Sequence, residues 1–120
     1  MATVSFNAAT LTAKLTFLEL TATTDTTLYT VGTGKTFKVQ TLTLSNRHTS
    51  AVNVDVYVAP SGATLNARHK IVVSLPVAVS ETVSLNAIVQ GLMIGEGDFI
   101  AVKASVANVI SIHLTGVEGA

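Results

Sequence analysis

Not one of the 120 residues is cysteine. A disulfide framework and thiol chemistry are therefore excluded, and the composition suits a chain made in a reducing cytoplasm. Tryptophan is also absent, and the aromatics amount to two tyrosines and four phenylalanines. Charge is scarce: 12% of residues are Asp, Glu, Lys or Arg, against ~25% in ordinary soluble domains. Seven cations balance seven anions, so the formal net charge is zero. With no basic run anywhere, nucleic acid and anionic membrane are poor partners. No apolar run reaches the ~18 residues that a membrane helix needs. Residues 1–10 lack the basic and apolar regions of a secretory signal.

What is present is Thr, Val, Ser, Ala and Leu. Thr and Val are stiff at χ1 and favour strands, and helix signals are nearly absent. A surface this poor in charge, at zero net charge, is prone to association. The expectation is a protein that covers part of its surface with neighbouring subunits and is not a monomer.

Residues 52–58 alternate strictly. Val52, Val54, Val56 and Val58 share one face, and Asn53, Asp55 and Tyr57 share the other. A period of two marks a half-buried strand. The preceding run, residues 35–45, is a second strand. The short break between them, RHTSA, predicts a hairpin. Within the first strand Phe37 and Val39 share a parity that Leu42 and Leu44 do not, and a bulge near Gln40–Thr41 reconciles them.

Residues 11–20 are more ambiguous. Leu11, Ala13, Leu15 and Phe17 lie on one parity, Leu18 and Leu20 on the other. A bulge or a strand buried on both faces accounts for this, and Leu11, Leu15 and Leu18 also fit a helical stripe. Further strands are expected at 28–31, 71–75 (closed by Pro76), 81–88 and 98–104. A last strand opens at Asn108, with Ile110, Ile112 and Leu114 inward and Ser111 and His113 outward. Residues 91–97 read as a turn and 116–120 as a tail. The sum is one domain: an all-β, antiparallel two-sheet sandwich, jelly-roll-like, of about eight strands. Its bounds are 11–120, with residues 1–10 as an N-terminal arm.

The residues offer no catalytic constellation. His48, His69 and His113 have no metal-ligand spacing. The seven carboxylates show no local pairing that names a glycosidase site. The run GTGKT has a Lys-Thr pair but lacks P-loop spacing and leads into a strand. No G-x-S-x-G elbow occurs. No enzyme activity, cofactor, metal or small-molecule substrate is expected. A carbohydrate-binding module would need exposed aromatic platforms, which only Tyr29 and Tyr57 could supply. Tyr57 faces outward by parity and is better read as a subunit contact. Val4 and Phe6 of the arm, with Tyr57 and His113, form the expected interface set. The arm is expected to lie on a neighbouring subunit, where it adds a strand to a sheet edge.

Residues 28–39, LYTVGTGKTFKV, resemble the LYTVPAGKT opening of small β-sandwich proteins among tailed-bacteriophage virion genes. Similar steps follow at Leu44-Ser45-Asn46, the alternating strand 52–58, Leu75-Pro76 with Ser80-Glu81-Thr82, Gly97-Asp98-Phe99-Ile100 and the closing strand 109–116. Gly32 stands where that family commonly has Pro, and Val79-Ser80 replace its usual Ala-Gly. The resemblance implies a phage virion structural protein, made in the host cytoplasm. It would act as a capsid decoration (cement) protein that forms homo-oligomers and binds the major capsid protein. The alternatives it leaves are a tail or neck component, or a receptor-recognition module that binds carbohydrate.

Overall fold

The computed structural model describes residues 11–119. The arm expected over residues 1–10, with Val4 and Phe6, lies outside them. Nine strands form: β1 (Leu11–Glu19), β2 (Thr26–Thr30), β3 (Thr36–Asn46), β4 (Val52–Ala59), β5 (Lys70–Val77), β6 (Thr82–Ser84), β7 (Met93–Ile94), β8 (Phe99–Ala104) and β9 (Ile110–Gly119). One sheet has the order β1-β9-β3-β6, with β7 also on β3; the other has β2-β8-β4-β5. Every pairing between these strands is antiparallel. The chain crosses repeatedly from one sheet to the other, and the result is a jelly-roll sandwich.

The expected β3–β4 hairpin does not form. β3 pairs with β9, β6 and β7, while β4 pairs with β8 and β5 in the opposite sheet. Residues 47–51 therefore turn a corner between sheets. Both strands bury one apolar face, and crossing over sets those faces against each other. Phe37, Val39, Leu42 and Leu44 come from β3, and Val52, Val54 and Val56 from β4. Asn46 holds the corner. Its buried amide donates to the carbonyls of Ser50, Val77 and Ala78 at 3.1, 2.9 and 3.1 Å and accepts from the His48 N–H at 2.8 Å.

The bulge expected in β3 is present: its register against β9 shifts between Val39 and Thr41, which turns all four apolar side chains inward. The last strand has its expected polarity, with Ile110, Ile112 and Leu114 buried and His113 exposed. It does not end in a tail. β9 runs on to Gly119 between β1 and β3. At Gly116 a Cβ would collide with the Lys38 carbonyl and with the rim of the Phe37 ring. The Phe37 ring thus closes over a position only glycine can fill.

Three further expectations change. The run 81–88 keeps only β6 as strand. Asn86 takes the Leu42 N–H on its side-chain oxygen, which ends the ladder, and Asn86–Val89 form a single helical turn, α1. Met93 and Ile94, placed in a turn by sequence, pair with β3. Val58 is only half-buried, at the margin of the core. Pro76 does sit in an edge strand, β5, where its missing N–H costs nothing.

Candidate assembly surface

β1 is a strand, not a helix, and it is free of bulges: nine consecutive residues pair with β9. Its two parities therefore go to opposite faces. Leu18 packs against the core and Leu20, just beyond the strand, is fully buried. The other parity, which a strand buried on both faces would have covered, faces outward: Leu11 is 50% exposed, Leu15 67% and Phe17 56%. With Ala13 between them they make an apolar stripe ~20 Å long at the strand rise. Phe17 rests on His113 of β9, with ring centroids 4.9 Å apart. Within the described residues β1 pairs only with β9, so its outer backbone edge is free.

Charge beside this stripe is drawn inward or tied down. Lys14 alternates to the inner side and reaches Glu118, 3.7 Å away, as does Lys35. The Tyr29 hydroxyl donates to the other oxygen of the same carboxylate. Glu118 is the sole acid of β9 and lies buried. At the far end of β1, Glu19 pairs with Arg47 at 2.6 Å.

The remaining carboxylates serve the fold. Asp55 pairs with Lys70 at 3.4 Å and accepts from the Ser74 N–H. Glu81 accepts from Ala78 N–H, Glu96 from Gly34 N–H, and Asp98 from Ser61 and Gly95 N–H. Asp25 lies beside the Tyr57 hydroxyl. Among the described residues no group of three or more His, Asp or Glu could hold a metal ion. His69 accepts the Asn66 N–H on Nδ1 and closes a local cap.

The expected interface residues fare unequally. His113 lies on the outer face beside the stripe. Tyr57 does not serve as an exposed contact: it is 4% exposed. Its parity is outward, but Asp25 lies beside its hydroxyl and Lys70 lies 5.7 Å from its ring centroid. Tyr29 packs on Phe37 at 4.5 Å. Neither tyrosine is thus the open platform that a sugar would stack on. The stripe on β1 was visible in sequence as alternating apolar residues, but nothing local said which parity would be left uncovered.

Both tyrosines couple stability to alkaline pH. Burial first, then the hydrogen bond to Asp25 and the charges of Asp25 and Asp55, push the Tyr57 hydroxyl up to about 12. Burial, then the hydrogen bond and charge of Glu118, raise Tyr29. An unfolded tyrosine ionises at ~10. Above that point the unfolded chain has lost protons that the native protein retains, so stability falls as pH rises. Below it both states are protonated and the contribution is intact. The urea midpoint is expected to be level up to about pH 9.5 and to fall from about 10 to 12. Tyr57→Phe should flatten part of that fall; an identical profile in the variant would refute the coupling.

No family model matches the chain, and no curated protein sequence does. Among solved structures the fold is similar to a chain from Bacillus endospore appendages, described as a novel family of disulfide-linked pili. The TM-score is 0.56 at 13% identity, over 99% of this chain and 96% of that one. At that identity the likeness is one of fold.

Proposed function

We propose that this chain is a structural subunit, without catalytic activity, that works by burying its surface in a larger particle. The single observation that carries this is the apolar stripe of Leu11, Leu15 and Phe17 on a long edge strand that, among the described residues, pairs only with β9. A free monomer gains nothing from such exposure. Support comes from the low charge and from carboxylates such as Asp55, Glu81, Asp98 and Glu118, which hold turns, corners and buried pairs. In the reading that the phage-like motifs favour, the chain is a virion protein: a capsid decoration subunit that binds its own copies and the major capsid protein. A tail or neck position uses the same surfaces.

A second reading is a filament subunit, favoured by the fold shared with the endospore-appendage chain. With no cysteine in its sequence, this chain would have to build a filament without disulfide links.

Light scattering over a concentration series, with electron microscopy of the same samples, tests the proposal. Masses at multiples of 12.4 kDa are expected. Discrete oligomers that decorate capsid shells fit the virion reading, and rods of uniform width fit the filament. A monomer at every concentration that also ignores capsid shells would end both.

A further inference from the structure

The sandwich has four sheet edges, and three of them are blunted. β5 carries Pro76 and bends at Ser74, whose φ is 48°. β2 is five residues long with a register shift between Thr27 and Tyr29. The far edge of the first sheet is split between β6, three residues, and β7, two residues. Short strands, prolines and bulges are the devices that stop an edge from accepting another strand. β1 has none of them. It is nine residues long and regular, and its one inward-pointing charge, Lys14, is held by Glu118.

The backbone of β1 shows which groups are open. The Leu20 N–H donates to the Ile110 carbonyl at 3.0 Å. Antiparallel ladders alternate residue by residue, so the even-numbered residues bond to β9. Leu11, Ala13, Leu15, Phe17 and Glu19 then turn their N–H and C=O groups to the free edge. These include every residue of the apolar stripe.

We infer that β1 pairs with β1 of a second copy, antiparallel about a two-fold axis through Leu15. Leu15 is the middle residue of the nine, so this register alone matches the whole strand. It sets Leu15 against Leu15 and Phe17 against Ala13, a large side chain over a small one, twice. Leu11 meets Glu19, Thr12 meets Leu18 and Lys14 meets Thr16, so no like charges stand directly opposite. The two stripes join into one apolar band across a continuous sheet of the two molecules. Self-complementarity of this kind is what a two-fold contact requires. The pairing rests on the structural-subunit reading and specifies its first contact.

The absence of cysteine makes the test direct. In the full chain, Leu15→Cys places two thiols directly opposite each other across the two-fold axis, with Cα atoms ~5.5 Å apart, within the span of a short bis-maleimide. The bis-maleimide should link this variant into a dimer at least about ten times faster than Val73→Cys on the blunted β5 edge, because pairing raises the effective concentration of the two thiols. Leu15→Lys and Leu15→Glu, at an exposed position that the fold tolerates, should each dissociate the pair about tenfold more readily. Mixed together, they should form the heterodimer. If Leu15→Cys links no faster than Val73→Cys, the pairing is wrong; continued association of the unmodified protein would then leave the subunit reading standing, and a monomer would remove it too. If the Leu15→Cys link forms only after residues 1–10 are deleted, the arm occupies this edge in the full chain and the pairing is equally overturned.

Discussion

Val54→Asp is expected to leave no folded protein. Val54 is fully buried in β4, between Ala104 of β8 and Leu75 of β5. A carboxylate there has no cation beside it on the inner face. Ionised, it carries an uncompensated burial cost of several kcal/mol; neutralised, it still leaves unpaired oxygens and a packing fault. Against a total stability of ~5–15 kcal/mol for a domain of this kind, the loss is most or all of the fold. Asn53→Asp, one residue away, supplies the control. Asn53 is exposed, so its replacement should shift stability by no more than ~0.5 kcal/mol. Far-ultraviolet circular dichroism with urea titration reads both. A Val54→Asp protein that melts with the parent would remove β4 from the core.

The second large effect is expected at Asn46, whose replacement by Ala should cost ~3–5 kcal/mol. Its side chain is buried and bonds to four backbone groups, drawn from the corner after β3 and from the segment that leaves β5. Removal leaves the Val77 carbonyl, where the bond is itself buried, without its partner and frees the His48 N–H. An unsatisfied buried group carries its full desolvation penalty. Asn46→Asp should be at least as damaging, since it keeps the acceptor for His48 but turns a carboxylate toward three carbonyls. Urea denaturation gives the size of the loss, and amide exchange at His48 shows whether the corner has opened. A loss below ~1 kcal/mol would mean that water replaces the amide and that the corner does not depend on it.

These two residues differ in how far sequence reached them. The valine alternation needs nothing beyond period two, and it placed Val52, Val54 and Val56 in the core without any partner being known. The bulge at Val39–Thr41 followed from the same rule, because only an extra residue could bring Phe37 and Leu42 to one face. Asn46 carried no such signal. Its four partners come from segments up to 32 residues away, and their convergence exists only in the assembled sandwich.

The sequence by itself determined where the strands run and which side of most of them faces the core, because both are local consequences of backbone geometry and side-chain alternation. Which strand lies beside which was decided by the tertiary structure alone. A short polar break permits a hairpin and a sheet-to-sheet corner equally; burial of two apolar faces against each other selected the corner. Tyr57 kept the outward parity its position dictates, yet Asp25 and Lys70, remote in sequence, covered it. Around β1 large apolar residues stand on both parities, Leu18 and Leu20 on one and Leu11, Leu15 and Phe17 on the other, and alternation alone did not show which would be left uncovered. Only the register against β9 decided it: Leu18 stands opposite the buried Ile112 and Phe17 opposite the exposed His113, so Leu11, Leu15 and Phe17 are left facing out.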